Sequence, residues 1–350
     1  MFIKNAWYVA GWSHEVSAGK PLQRMICGEA IVLFRSGDEV VALADACAHR
    51  QYPLSSGRLV EGRIRCGYHG FEYDSDGVCQ RVPGQKTVPA KARVRRFPVV
   101  LRNGWIWIWP GDTAGEGAAD PGSIPDTPWL TAPEWDGVTF THLYDCRSSL
   151  VHDNLLDLTH EAFIHETSIG DDAVYENGIT VEVAKDAVVV DRFMPNCHPS
   201  DLYVTAMGVQ PPMDRWHTTE FRLPSLHVIH CGVTSPGASR ESGYHIEVLN
   251  AITPATENST WYFYGNFRDF ALGDDDINAL MRSSLSQVLA EDADALAKQE
   301  RMLTEGHASS NDVLIAQDAG VARARRMMQQ LLDAELTEPK RDRHAAAVDA

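Results

Sequence analysis

The 350-residue sequence predicts an α+β protein with two domains, an all-β domain over residues 1–112 and a domain over 134–338 that combines an antiparallel sheet with helices. Three observations lead to this prediction. The chain is longer than a typical single core allows. Strand patterns dominate up to about residue 270, and helical periodicity follows them. A stretch rich in Gly, Pro, Asp and Ala predicts a linker over 113–133, and residues 339–350 are expected to form a disordered tail.

Alternating and β-branched segments account for the first domain. AIVLFR and EVVALAD flank a Ser-Gly-Asp turn at 36–38, which predicts a hairpin, and RIRCGYHG begins as a short strand. The segment GWIWIWPGD has apolar residues on both faces, so it predicts a buried strand. Its three tryptophans, at 105, 107 and 109, share one face and are expected to belong to the core.

The second domain is predicted to hold one large antiparallel sheet framed by helices. The late sequence turns helical from about Asp274 to Glu305 and again from Asp318 to Leu332. The predicted strands are VTFTHLYDC, ITVEVAKDAVVVDRFM, LYVTAMGV, LHVIHCGV, YHIEVLNAIT and STWYFYGNFRDF.

Charge and cysteine content exclude several classes of protein. The net charge of −17 argues against a nucleic-acid partner. No apolar run reaches the ~18 residues that a membrane span needs, and the N terminus lacks a signal-peptide pattern, which predicts a cytoplasmic protein without a membrane partner. The seven scattered cysteines argue against a disulfide framework.

The charge is unevenly divided, with +6 over residues 1–111 and −23 over the remainder. One interpretation is an ordinary solvated surface. The other is that basic residues of the first domain steer an acidic electron donor towards it. The candidates are Arg81, Lys86, Lys91, Arg93, Arg95, Arg96 and Arg102.

The stretch NLLDLTHEAFIH, residues 154–165, has the pattern D-x2-H-x4-H. On a helix, His165 would lie roughly 140° around the axis from His160, so one ion could bind both only across a bulge or a helix end. Two imidazoles and one carboxylate are the usual facial ligands of non-haem Fe(II). Two structural histidines beside an amphipathic helix are the alternative.

A second pattern is Cys47-x-His49 followed, after sixteen residues, by Cys66-x2-His69. Two cysteines on one iron and two histidines on the other make the Rieske form of a [2Fe–2S] centre. A structural Cys2His2 zinc site is the alternative. Zinc arms more often pair like with like, whereas each arm here mixes a thiol with an imidazole, and this mixture favours the iron–sulfur interpretation.

A carboxylate to complete the mononuclear site is sought in the late helix, which offers Glu291, Asp292 and Asp294. Its apolar stripe includes Leu285, Val288, Leu289 and Leu296, and Asp292 falls within that stripe. Asp294 lies on the polar face. A carboxylate on the core face is costly unless it is paired or binds a metal, so Asp292 is predicted to be the third ligand.

CAH, CGYHG and NLLDLTHEAFIH together resemble the motifs of the oxygenase component of Rieske non-haem iron oxygenases. KNAWYVAGW, FPVVLRNGWIWIWPGD and ITPATE are most similar to the vanillate O-demethylase group, which includes dicamba and toluenesulfonate methyl-group monooxygenases. The resemblance runs from about residue 2 to about 335. It implies an all-β Rieske domain followed by a helix-grip-like catalytic domain.

The resemblance also implies roles for individual residues. His160, His165 and Asp292 match the iron ligands. Asp157 is expected to bridge His160 to a Rieske histidine, matching His69, of a neighbouring subunit, which implies a homotrimer. Its carboxylate would accept a hydrogen bond from each imidazole. Asn154 is expected beside the iron.

The implied reaction uses O2 as co-substrate and electrons from NAD(P)H, delivered by a separate ferredoxin or flavin reductase. The implied substrate is a small aromatic acid or phenol with a methyl or methoxy group, and oxidative O-demethylation would release formaldehyde. His230, Asn250 and Ser283 fall where the dicamba-type relative places its substrate contacts, although the side chains differ. Hydroxylation of an aromatic methyl group or ring, ring dihydroxylation, and an electron-carrying Rieske protein without oxygenase activity are the alternatives.

Overall fold

A computed structural model describes residues 1–17, 19–113, 118–306 and 312–337. The chain divides into two compact units, Met1–Ile124 with the chain from Gln330 onward, and Pro125–Gln329. We call them the first and the second unit. The division at 124 falls within the stretch predicted as a linker, and the domain limits at 112 and 134 stay a prediction. The tail predicted over 339–350 lies outside the described residues.

The first unit consists of short antiparallel strands, as the sequence predicts. The strands are β1 (Tyr8–Trp12), β2 (Leu22–Ile26), β3 (Glu29–Ser36), β4 (Glu39–Ala44), β5 (Arg58–Val60), β6 (Arg63–Arg65), β7 (Glu72–Tyr73), β8 (Cys79–Arg81), β9 (Arg96–Phe97), β10 (Val99–Arg102) and β11 (Trp105–Ile108). They form three sheets, ordered β1-β11-β10, β2-β3-β4-β9 and β5-β6-β7-β8. Trp105 and Trp107 are fully buried, which confirms their assignment to the core.

The second unit contains one seven-stranded antiparallel sheet, ordered β12-β18-β17-β16-β15-β14-β13. Its strands are β12 (Asp136–Tyr144), β13 (Ile179–Val183), β14 (Ala187–Cys197), β15 (Met213–Arg222), β16 (Leu226–Thr234), β17 (Tyr244–Thr256) and β18 (Ser259–Arg268). The single large sheet confirms the prediction. Strand β15 was not predicted, because MDRWHTTEFR carries charged residues at positions that turn out to be buried.

The described residues also contain six α-helices and six short 3-10 helices. The α-helices are α1 (Ser148–Leu156), α2 (Glu161–Ile164), α3 (Ala173–Glu176), α4 (Asp201–Met207), α5 (Asp275–Thr304) and α6 (Ala319–Thr337). The strand predicted over LYVTAMGV is wrong, because most of that segment is α4. Leu202, Tyr203, Ala206 and Met207 are buried at helical spacing, and Gly208 ends the helix with φ +66°. Within the described residues, none of the helices combines the length and the apolar character that crossing a bilayer requires.

The two sides of the large sheet differ in what they face. Ile229, Val248 and Tyr264 pack into one buried cluster with Leu285 and Leu289 of α5. We call this the helix side of the sheet. Because side chains alternate along a strand, the residues directly before and after Ile229, Val248 and Tyr264 point to the other side of the sheet, which we call the far side.

Helix α5 is fixed against the helix side by hydrogen bonds as well as by its apolar stripe. The Tyr144 hydroxyl donates to the Leu289 carbonyl (2.7 Å), and Arg147 pairs with Glu300 through two bonds of 2.7 Å. Asp292 is only 6% exposed, in line with the prediction that it lies within the buried stripe. Asp294, in contrast, is a surface residue that pairs with Lys298.

Candidate metal centres

The structure brings His160, His165 and Asp292 together. One ligand atom from each residue lies within 4.8 Å of the other two. His165 Nε2 is 3.3 Å from Asp292 Oδ1, and His160 Nε2 is 3.6 Å from the same oxygen. Two atoms that each lie about 2.1 Å from one ion are about 3.0–3.6 Å apart at bond angles of about 90–120°. The three side chains therefore fit a single divalent ion.

The chain delivers the two histidines by ending a helix between them, as the spacing predicts. Helix α1 ends at Leu156, a 3-10 turn spans Leu158–His160, and α2 covers only Glu161–Ile164. Asp157 caps the turn, since its carboxylate accepts hydrogen bonds from the Thr159 amide (3.1 Å) and hydroxyl (2.7 Å). The break in the helix turns both imidazoles towards the same carboxylate.

Hydrogen bonds fix which nitrogen of each imidazole can bind a metal. His160 Nδ1 lies 2.7 Å from the Asp157 carbonyl oxygen, which can only accept, so Nδ1 carries the proton. His165 Nδ1 lies 2.8 Å from Glu291 Oε2. Both Nε2 lone pairs therefore face Asp292, and three acceptors converge on one point. A cation at that point resolves the conflict.

The electrostatics favour positive charge at this point. Burial opposes protonation of His165, but the neighbouring carboxylates of Asp292 and Glu291 raise the pKa of the imidazole. Burial likewise opposes ionisation of Glu291, yet hydrogen bonds from Gln287, His165 and Ser168 lower its pKa. The carboxylates of Glu291 and Asp292 thus flank one nearly inaccessible imidazole, an arrangement that suits a divalent ion.

Asn154 and Asp157 lie beside this group in different ways. Asn154 Nδ2 is 3.3 Å from His160 Nε2 and donates to Asp292 Oδ1 (3.1 Å), so its amide touches two candidate ligands. The expectation that the Asp157 carboxylate accepts from His160 is wrong. That imidazole binds the Asp157 main-chain carbonyl, because the carboxylate is turned towards Thr159.

A buried ion cluster, absent from the sequence prediction, anchors the metal segment to the sheet. Arg215 on β15 lies 3.1 Å from Asp171 Oδ2 and 3.5 Å from Glu161 Oε2, and Glu161 directly follows His160. All three side chains are less than a tenth exposed. The only signal in the sequence is a charged residue within MDRWHTTEFR, a segment for which no strand was predicted.

The three predicted substrate contacts are not brought together. Asn250 lies on the helix side of β17, where it accepts a hydrogen bond from the Tyr262 hydroxyl (2.7 Å). Burial raises the pKa of Tyr262, and the nearby Asp292 raises it further. Ser283 is exposed, and nine residues place it half a turn out of phase with Asp292 on α5. Only Asn250 is brought to the side of the sheet that faces the metal residues.

His230 lies on the far side, which corrects its expected place in the pocket. Its neighbours Ile229 and Cys231 pack on the helix side, so strand alternation turns His230 away. There it pairs with Glu247 (2.6 Å) and lies 3.7 Å from Glu220 and beside Trp129. Burial opposes its charge, but these carboxylates raise the pKa of His230 to about 9.

In the first unit, the loops after β4 and β6 bring the four predicted cluster ligands together. Cys47 and Cys66 are buried, whereas His49 and His69 are exposed with ring centroids 4.7 Å apart. Burial raises the pKa of the Cys66 thiol, and the adjacent Cys47 raises it further. Two inner thiols and two outer imidazoles match the ligand set of a Rieske cluster.

Glycines and one tyrosine shape this loop pair. A Cβ on Gly67 would lie 2.9 Å from the Ser56 carbonyl, and Gly70 has φ +73°. The Tyr73 hydroxyl lies 3.1 Å from Cys47 Sγ and also accepts from the Ala48 amide (3.1 Å). Since its oxygen accepts that bond, its hydrogen is available to the sulfur.

The basic residues proposed to steer a donor are partly neutralised. Arg81 pairs with Glu72, Arg96 pairs with Glu39 and Asp76, and Arg95 donates to the Pro110 carbonyl. Arg102 donates to the Ile124 carbonyl. Among the residues the structure describes, no ion pair engages the remaining exposed candidates, Lys86, Lys91 and Arg93.

Comparison with known proteins finds family matches over both parts of the chain. The family model described as the Rieske [2Fe-2S] domain matches residues 6–98, and the vanillate O-demethylase oxygenase C-terminal domain matches 144–334. The vanillate O-demethylase oxygenase subunit of Pseudomonas sp. is 35% identical over 349 residues, 96% of each chain. The oxygenase component of dicamba O-demethylase from Stenotrophomonas maltophilia is 37% identical over 307 residues, 87% of each chain.

A crystal structure of dicamba monooxygenase with non-heme iron and dicamba superimposes with a TM-score of 0.84 at 33% identity, covering 96% of this chain and 98% of that one. The fold and the two sites define the oxygenase component of a Rieske non-haem iron monooxygenase, whose cofactors are a [2Fe–2S] cluster and a mononuclear iron. The chain belongs to the vanillate O-demethylase oxygenase family. Membership of this family excludes the alternative that the chain is a Rieske protein that only carries electrons. An oxygenase component also implies a reductase partner and a small aromatic substrate.

Proposed function

We propose that this oxygenase removes the methyl group of a methoxy-substituted aromatic acid or phenol. The observation that carries the proposal is the convergence of His160 Nε2, His165 Nε2 and Asp292 Oδ1 in a chain that also holds the Cys47, His49, Cys66 and His69 set. Relatives of similar length act as vanillate and dicamba O-demethylases. Per molecule of O2, with two electrons and two protons, an aryl methyl ether would give a phenol, formaldehyde and water.

The residue roles follow from the contacts. A cluster held by Cys47, His49, Cys66 and His69 would supply electrons singly, and an iron held by His160, His165 and Asp292 would supply the O2 activation that attack on the methoxy C–H needs. The Asp157 carbonyl keeps the His160 proton on Nδ1, and Asn154 donates to Asp292 and holds it in place. Burial of His165 and Asp292 keeps bulk water from these atoms. Asn250 is the predicted substrate contact on the helix side, and because it accepts from Tyr262 and donates to the His227 and Val248 carbonyls, a substrate oxygen would have to displace one of these bonds.

The assembly and location are proposed on the same grounds. Asp157 would connect His160 to His69 of a neighbouring copy in a homotrimer. Its main-chain carbonyl accepts from His160, and its Oδ2 would accept from His69, because its Oδ1 already accepts from Thr159. Asp157→Asn should leave both metal sites loaded and slow electron transfer between them. Turnover at the parent rate would remove this bridge. None of the seven cysteines, all of which lie in the described residues, forms a disulfide, and this supports a cytoplasmic location.

The activity is tested with iron-loaded enzyme, a compatible reductase, NADH and a panel of methoxy- and methyl-substituted aromatic acids and phenols. Oxygen uptake and formaldehyde are followed together. Formaldehyde in proportion to oxygen supports O-demethylation and identifies the substrate class. Oxygen uptake without formaldehyde on a substrate that is converted would replace the proposal with hydroxylation of a methyl group or ring.

A further inference from the structure

Glu291 directly precedes the candidate ligand Asp292 on α5 but is directed at a different partner. Its Oε2 accepts from His165 Nδ1 (2.8 Å) and Ser168 Oγ (2.9 Å), and its Oε1 accepts from Gln287 Nε2 (2.8 Å). Three donors thus hold one carboxylate in a single orientation. The His165 side chain is 1% exposed and that of Glu291 is 20% exposed, so the bond between them is largely shielded from water.

The two histidines of the site therefore have outer partners of different charge. His160 donates to an uncharged main-chain carbonyl, and His165 donates to an ionised carboxylate. A carboxylate on Nδ1–H makes Nε2 a stronger donor to a metal and fixes both the tautomer and the ring plane. The neutral carbonyl fixes the tautomer of His160 with less effect on its basicity.

Glu291 also adds negative charge beside the candidate metal ligands. Asp292 supplies one negative charge, and Glu291 supplies a second within hydrogen-bond reach of the same imidazole. Together they balance the two positive charges of a ferrous ion without any further ligand. An ordinary surface acid on this helix behaves differently, as Asp294 shows by pairing with Lys298 at the exposed surface.

We propose that Glu291 is a positioning residue that sets the affinity and the ligand field of the mononuclear iron through His165. This inference rests on the proposed ligand set of His160, His165 and Asp292. It assigns to Glu291 no contact with iron or substrate. What it predicts is that the charge of residue 291, and not only its shape, controls the metal.

The test compares Glu291→Gln, Glu291→Ala and the matched control Asp294→Asn, which removes a carboxylate from the same helix. Anaerobic titration gives the Kd for Fe(II), and the visible spectrum of the Co(II)-loaded protein reports the ligand field. Glu291→Gln keeps the shape and a hydrogen-bond acceptor but loses the charge, so its Kd should rise roughly 10-fold, and that of Glu291→Ala roughly 100-fold. The Co(II) bands should shift in both variants. Asp294→Asn should match the parent in both measurements.

A misfolded variant is recognised by its thermal melt and by the absorbance of the [2Fe–2S] cluster, and Glu291→Asp provides a conservative rescue that restores the charge. Parent-like Kd and parent-like Co(II) bands in Glu291→Gln would overturn the inference. His165→Ala separates the two proposals. If it loses iron while Glu291→Gln binds normally, only the role of Glu291 is refuted; if it retains iron, the ligand set itself is wrong.

Discussion

Replacing Arg215 by Met should destabilise the second unit by about 3–5 kcal/mol, because it removes the cation shared by two buried carboxylates. The pairs with Asp171 and Glu161, at 3.1 and 3.5 Å, each contribute about 5 kcal/mol of Coulomb attraction at an effective dielectric constant of about 20. Desolvation of the three ions offsets much of this gain. Removing the cation alone leaves both carboxylates buried without their partner, so the loss of stability is large.

The assay is urea unfolding followed by far-UV circular dichroism, with cluster absorbance reporting separately on the first unit. The double variant Arg215→Met/Glu161→Gln should recover about half of the loss, since one uncompensated charge is removed with its partner. Iron affinity should fall in Arg215→Met because Glu161 adjoins His160. A loss below about 1 kcal/mol, or no recovery in the double variant, would refute the assignment of this cluster as an anchor.

Three further predictions follow from other contacts. Asp292→Ala should lose the mononuclear iron while metal analysis still finds the cluster, and full iron occupancy would contradict the ligand assignment. Tyr73→Phe removes the hydrogen bond to Cys47, so electrochemical titration should find the cluster potential lower by about 60 mV, which corresponds to a bond about 1.4 kcal/mol stronger in the reduced state. An unchanged potential would show that the hydroxyl does not donate to the sulfur. The folded pKa of His230 is raised to about 9, so its stabilisation is complete below pH ~6.5 and is lost as the pH rises through 9, by at most about 3 kcal/mol. Melting temperatures should fall over that range more steeply in the parent than in His230→Gln, and parallel curves would exclude the effect.

Local patterns predicted those features that depend on neighbouring residues in the sequence. Short stretches of sequence show that Asp292 lies in an apolar stripe. They also show that one continuous helix cannot direct both His160 and His165 at a single ion. Helix α4 was mistaken for a strand because its β-branched and aromatic residues favour strands, while burial against the core decided for a helix.

Features that join distant segments could not be predicted in this way. Glu291 meets His165 across 126 residues, and Arg215 meets Glu161 across 54, so no periodicity records either contact. His230 was placed in the pocket as a polar residue in an apolar strand and by a loose alignment. A shift of one residue along a strand reverses the side that it faces, and a loose alignment does not resolve that difference.

The broken helix that carries His160 and His165 has a further consequence for how the protein keeps its shape. A segment of short turns has few of the repeating main-chain bonds that make a long helix resist opening, and Phe163 at its centre is 69% exposed. A metal bound by both His160 and His165 would hold the two parts of this segment together. Iron binding and local order are therefore thermodynamically linked. Added Fe(II) should slow amide hydrogen exchange across residues 157–165, and loss of iron should open this segment before any strand of the sheet.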